Sequence, residues 1–171
     1  MKILFAVTGA SGASLGLKAY ELAPKEHTKH LIISDNAEIV LAKEEGKVYK
    51  KSQFWQAPAS GSYGMDSMLI APCSANTLAK IACGIADNLV TRSASVMLKE
   101  KKRLVIAPRE MPFDEIMIEN MLRLAKMGVI IAPPVMAYYG KQKSLDEMES
   151  FVVGKWLDLM GVSNNLYNRW S

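Results

Sequence analysis

Little in this sequence could build a metal centre or a disulfide framework. Its 171 residues include two cysteines, Cys73 and Cys83, and two histidines, His27 and His30. The cysteines lack metal-ligand spacing, so no metal is expected, and reduced thiols in a cytoplasmic protein are the natural reading. Long apolar runs are missing too. The one after Lys2 is too short for a signal-peptide core and none reaches the length of a membrane span, so no span is expected. Charge of one sign never accumulates. The net charge is +4, and Lys99-Glu-Lys-Lys-Arg103 is short and interrupted, better read as basic residues facing a helix C-terminus than as a nucleic-acid patch. No internal repeat or low-complexity segment is evident. What is present is an ordinary soluble balance, 50% apolar and 22% charged, over a length suited to a single domain, 1–171, with a proper core.

The chain is organised around its opening stretch. Lys2 to Val7 reads as a buried strand, Thr8-Gly-Ala-Ser-Gly-Ala-Ser14 as a turn of small residues, and Leu15 onward as a helix. Such a turn aims backbone N–H groups and a positive helix end at one point, where a phosphate could sit. The glycines Gly9, Gly12 and Gly16 match neither the dinucleotide fingerprint nor a Walker loop, so a tight turn without ligand stays open beside the anion site. The hydroxyls of Ser11 and Ser14 tilt the reading toward the anion.

Further strands are expected over 29–33, 68–71, 104–107 and 129–132, each followed by a helix. Ser34, Asp35 and Asn36 offer caps for a helix ending near Gly46, where Glu44 and Glu45 oppose the helix dipole. Asp35 at a strand end could hold a nicotinamide ribose, but a cap is the simpler explanation. Residues 50–66 are irregular and long for a connection, with Trp55 and two other aromatics able to wall a ligand or merely anchor the loop. Ser74, Asn76 and Thr77 cluster at a helix start; capping accounts for one of them, and three together suggest a ligand. Arg92 and Lys99 lie two turns apart and share a helix face. Pro108-Arg-Glu-Met-Pro112 places a charged pair at the end of the fourth strand, and Ser144 with Glu147 has the pattern of a capping box. Five strands alternating with helices give a doubly wound parallel sheet of Rossmann or flavodoxin-like type, three layers α/β/α. Ser11, Ser34, Ser74 to Thr77, and Arg109 with Glu110 would then converge on one crevice.

Taken together, Thr8-Gly-Ala-Ser-Gly12, Pro58-Ala-Ser-Gly-Ser62, Pro108-Arg-Glu-Met-Pro112 and Pro133-Pro134…Tyr138-Tyr139 resemble the flavin prenyltransferases of the UbiX type, within the homo-oligomeric flavin-binding proteins that include cysteine decarboxylases. The resemblance runs through nearly the whole chain. It implies transfer of a prenyl group from dimethylallyl phosphate to N5 and C6 of reduced FMN, making prenylated FMN for a separate decarboxylase. It implies no metal, and the sequence has no D-D-x-x-D cluster. It further implies that Gly9, Ala10 and Ser11 contact the flavin, with the Ser11 hydroxyl near N5, and that Ser34 and the turn Ser74, Ala75, Asn76, Thr77 hold its phosphate and ribityl side. Glu110 would manage the N5 proton with Glu44 assisting. Lys99, Arg109, Tyr139 and Lys155 would clamp the prenyl phosphate with Arg92 in support, and Trp55 would wall the prenyl chain. Lys155 stands where the family often has Arg, keeping the charge without the bidentate fork. A dodecamer with sites at subunit junctions is the oligomer the family suggests. Two other readings remain: a flavin-dependent decarboxylase of a cysteine-bearing substrate, on Pro72-Cys-Ser-Ala-Asn-Thr77, and a flavin carrier without catalysis.

Overall fold

The inner strands are apolar on both faces, and that decides the architecture. In the computed structural model, which describes residues 1–45, 58–138 and 142–169, β1 (Lys2–Val7) and β3 (Ser67–Cys73) are buried almost end to end. With β2 (Thr28–Ile33), β4 (Arg103–Pro108) and β5 (Ile130–Ile131) they form one parallel sheet in the order β2-β1-β3-β4-β5. Strands buried on both faces need helices on both sides.

Alternation along the strands assigns the faces. Leu4, Met68, Ile70, Leu104 and Ile106 point to one side, against α3 (Ala75–Ala82), α4 (Leu89–Lys99) and α5 (Glu115–Lys126) through Leu78, Ile81, Met97 and Leu124. Ile3, Phe5, Leu69 and Val105 point to the other, against α1 (Ala13–Leu22) and α6 (Leu145–Met160) through Leu15, Ala19, Trp156 and Leu157. A smaller cluster joins α2 (Asp35–Glu45) to α1 through Leu41, Ala37 and Leu17. Gly16 explains how closely α1 can lie on the sheet: a Cβ there would stand 1.9 Å from the Ala71 carbonyl oxygen of β3. Lys18 of α1 crosses to α6, 2.6 Å from Asp146 and 2.9 Å from Glu149.

The elements match the sequence reading in kind and differ at their ends. β5 is shorter than 129–132 because its flanks are otherwise engaged. The Val129 N–H donates to Leu124 O at the close of α5, and Pro133 and Pro134 have no N–H to extend the ladder beyond Ala132. α1 and α3 start earlier than expected, at Ala13 and Ala75. The full reciprocal capping box is at α4, where Asn88 and Thr91 exchange side-chain and backbone bonds. At α6 the Ser144 hydroxyl does accept from the Glu147 N–H, but Glu147 turns back to the N–H of Lys143 instead. No described helix is long and apolar enough to cross a membrane.

Candidate functional site

From β1 the chain moves to β2 on one side and then returns past β1 to β3 on the other, so the strand order reverses between β1 and β3. In open parallel sheets the C-terminal edge at such a point is a crevice. Buried Thr8 ties this edge together. Its hydroxyl donates to the Pro72 carbonyl at 2.8 Å and accepts the Ser74 N–H at 2.9 Å. The Ser34 N–H donates to Val7 O at 3.0 Å, and the Arg109 N–H to Cys73 O at 3.1 Å. Four strand ends are therefore held in register, as the convergence of Ser11, Ser34, Ser74 and Arg109 requires.

The helices that follow β1, β2 and β3 begin at this edge. At α2 the cap is Ser34, whose hydroxyl accepts the Ala37 N–H at 3.2 Å; Asp35, an alternative cap in the sequence reading, is already inside the helix. At α3 Ser74 accepts from the Thr77 N–H at 3.3 Å and bonds the Thr77 hydroxyl at 3.0 Å. Two of the three polar side chains in that turn thus satisfy each other, leaving Asn76 exposed beside Ala75. At α1 the start has no side-chain cap of its own: Gly12 takes a left-handed φ of 83°. There the anion is supplied by the chain itself. Both oxygens of Glu44 are engaged, one by the Gly12 N–H at 2.7 Å and the other by the Ala13 N–H at 3.1 Å. The Glu44 charge that is unfavourable at the C-terminal end of α2 is favourable at the N-terminal end of α1. Of the two sequence readings of this turn, anion site or tight turn without ligand, these two N–H groups fit the second, since a carboxylate of the chain itself engages them.

Around this edge Gly9 and Ala10 are half-buried and Ser11 is exposed. Arg109 and Glu110 are exposed on the turn after β4, with one Glu110 oxygen accepting the Met111 N–H at 3.2 Å. The other expected cations lie elsewhere on the chain. Arg92 is exposed on α4. Lys99 ends α4, and because that end leads into the start of β4 it sits at the opposite edge of the sheet, 3.1 Å from Glu100. There it lines a cleft of about 360 Å³ together with Ser95, Arg123 and Cys83. Lys155 lines another cleft, of about 580 Å³, with Pro133, Met136, Tyr138 and Trp156. Trp55 and Tyr139 lie outside the described residues. Sequence reasoning missed Thr8 and the capping of α1 by Glu44; a threonine beside a glycine turn and a glutamate at a helix end carry no signal of what they reach across the fold.

Neither cysteine competes for a catalytic role at this edge. Cys73 is buried in β3, and burial pushes its thiol far above the ordinary range, so it stays protonated. Among the described residues no three of His, Cys, Asp and Glu gather as a metal site.

Comparison with known proteins bears on this edge. Residues 1–157 match the family model described as Flavoprotein. The chain is 44% identical over 184 residues to the flavin prenyltransferase UbiX of Helicobacter pylori strain ATCC 700392 / 26695, an alignment covering 99% of this chain and 98% of that one. The dodecameric FMN-dependent UbiX-like decarboxylase from Escherichia coli O157:H7 superposes with a TM-score of 0.93 at 35% identity, covering both chains fully. AnUbiX (PadA1), solved in complex with FMN and dimethylallyl pyrophosphate, gives a TM-score of 0.91 at 37% identity over 99% of this chain and 97% of that one. A peptidyl-cysteine decarboxylase at 22% identity and TM-score 0.56, over 80% and 82% of the chains, shares the fold alone.

Proposed function

The chain belongs to the flavin prenyltransferases of the UbiX type, and from that premise we propose that it transfers the dimethylallyl group of dimethylallyl phosphate to N5 and C6 of reduced FMN. The observation that carries the reading is the switch-point edge itself. The N-termini of α2 and α3 lie there with exposed Ser11, Asn76 and Arg109 as donors and Glu110 as an acceptor, a set suited to a phosphate and a polar heterocycle. Reduced FMN, as co-substrate, supplies the nucleophilic nitrogen and carbon.

The residues divide the remaining work. Ser34 and the turn from Ser74 to Thr77 hold the flavin phosphate and ribityl chain; Gly9, Ala10 and Ser11 lie along the ring, with the Ser11 hydroxyl directed to N5. Glu110 takes the proton that leaves N5 as the N5–C bond forms and the allylic C–O bond breaks; closing the ring at C6 then adds one proton to the alkene and releases one from C6. Glu44 assists from a distance, because its two bonds to the Gly12 and Ala13 N–H groups fix the turn that carries Ser11. Breaking the allylic C–O bond releases a phosphate whose growing charge needs cations, and Arg109, Lys99 and Lys155 answer it, with Tyr139 and with Arg92 in support. Trp55 walls the prenyl chain.

Lys99 cannot serve the crevice of its own chain from the opposite sheet edge, so we assign it to the site of a neighbouring subunit. Two observations favour a homo-oligomer built this way. The E. coli relative is described as dodecameric, and the outer side of α5 with the turn before it exposes Met111 (88%), Ile116 (70%) and Leu122 (54%), apolar surface that a second copy would cover. The product, prenylated FMN, is destined for a separate decarboxylase that uses it as cofactor. We place the reaction in the cytoplasm, in keeping with free Cys73 and Cys83.

The test is anaerobic incubation with reduced FMN and dimethylallyl phosphate, followed by mass measurement of the flavin. A gain of one C5 unit is expected. Unmodified FMN that stays tightly bound would overturn the reading in favour of a carrier or a decarboxylase of cysteine-bearing acids.

A further inference from the structure

Lys155 and Asp158 stand one turn apart on α6, a spacing at which opposite charges face each other. They form no ion pair. Asp158 is instead taken over by the segment that follows the helix. Arg169 donates to both carboxylate oxygens, Nη1 to Oδ2 at 2.9 Å and Nη2 to Oδ1 at 2.8 Å. Asn164 Nδ2 adds a bond to Oδ1 at 2.9 Å, and the Tyr167 hydroxyl donates to Oδ2. Burial by itself would raise the Asp158 pKa, but the bonds from Arg169 and Tyr167, with the charges of Arg169 and Lys155, outweigh it and hold the carboxyl below the usual value.

The segment is seated on the helix by packing. The Tyr167 ring lies where a Cβ on Gly154 would be, 2.5 Å away, and meets Phe151 edge-on with centroids 4.9 Å apart. Lys155 Nζ is 6.0 Å from the Tyr167 ring centroid, exposed and in no ion pair among the described residues. Its ammonium acts on Asp158 through space only and is thus left without a contact ion pair beside the cleft of Pro133, Met136 and Tyr138.

We propose that Arg169 is a positioning residue for the donor's phosphate: by capturing Asp158 in a bidentate pair it keeps that carboxylate from neutralising Lys155. The inference rests on the reading of Lys155 as a phosphate-binding group. A lysine has one ammonium and no fork, so it cannot hold a carboxylate and a phosphate on separate pairs of donors as an arginine can. Without Arg169 the Asp158 carboxylate keeps only the Asn164 and Tyr167 bonds, and its unshared acceptor capacity turns to Lys155 and competes with the phosphate.

The experiment measures KM for dimethylallyl phosphate and kcat at saturating donor, using the full chain with reduced FMN. Lys155→Ala tests the underlying reading: KM rises, and an unchanged KM would overturn both that reading and this inference. Arg169→Ala raises KM about fivefold, the scale of one exposed ion pair, with kcat retained. Asp158→Asn in the Arg169→Ala background restores KM, since an amide no longer competes for the ammonium. Should Lys155→Ala raise KM while Arg169→Ala leaves it unchanged, the role of Arg169 is overturned and that of Lys155 stands. A double variant as poor as Arg169→Ala alone would also overturn it, because Arg169 would then act only by holding the segment in place.

Discussion

At the scale of single residues, two carboxylates at the same sheet edge are used differently. Glu110 is exposed, spending one oxygen on the N–H of its own neighbour Met111. Replacing it by Gln keeps the shape and removes the proposed base. Glu110→Gln is therefore expected to retain FMN, by fluorescence titration, and to lose prenyl transfer; full activity would take Glu110 out of the chemistry. Glu44 has both oxygens on backbone N–H groups of another helix, so its replacement acts on the fold first. Glu44→Ala leaves the α1 start uncapped and should cost about 1 kcal/mol in urea unfolding, in line with the loss of a helix cap. Activity falls with it, through the turn that carries Ser11. Position in the sequence showed a charge opposing the dipole of its own helix, and the resemblance a role assisting Glu110; only the distance across the turn reveals its partner.

At the scale of elements, the contact between α1 and β3 leaves no room for a side chain at Gly16. A methyl group at Gly16 would meet backbone, which cannot swing aside as a side chain could. Gly16→Ala is expected to destabilise by about 3 kcal/mol, the upper end of overpacking costs, seen as a lower urea midpoint at unchanged slope. At the outer strand, His30 of β2 shares a 3.0 Å hydrogen bond with the Tyr63 hydroxyl, and Lys2 lies 4.2 Å from the centre of the Tyr63 ring. Burial, and then the Lys2 charge, lower the His30 pKa below 6.5. The folded protein therefore binds a proton here less readily than the unfolded chain. The associated stability is complete above pH 6.5 and is lost as pH falls toward the depressed folded value. Melting curves over that window should show Tm dropping with acid, and His30→Gln should flatten the dependence; an unchanged slope would assign it to other groups.

At the scale of the whole molecule, the cations expected to share one phosphate are distributed over opposite edges of a single chain. Arg109 stands at the C-terminal edge of the sheet and Lys99 at the N-terminal edge. An assembly that joins the two predicts complementation. Lys99→Ala and Glu110→Gln chains, each inactive alone, should regain part of the prenyl transfer when co-expressed, because some junctions then pair an intact Glu110 with an intact Lys99 from a neighbour. Mixed assemblies that stay inactive would return Lys99 to a role outside the site.

Much of this was legible in the sequence because it depends on local order. Apolar runs of strand length alternating with amphipathic helices specify a parallel sheet, and parallel strands place every turn that follows a strand on one edge, whatever the details of packing. The order of the chain alone therefore gathers Ser11, Ser34, Ser74 and Arg109 on one edge. The strand termini were less legible, since Val129 is claimed by the close of α5 and the prolines after Ala132 end the ladder, effects of hydrogen-bond competition and not of composition. What only the tertiary structure decided are the pairings between residues distant in the chain: Glu44 with the start of α1, Thr8 with Pro72 and Ser74, and Asp158 with Arg169 in preference to Lys155. The physical reason is one of range. Backbone propensity and hydrophobic period act over a few residues and are written in order along the chain. A carboxylate's partner is whichever donor the finished packing brings within about 3 Å, and no local pattern encodes that distance.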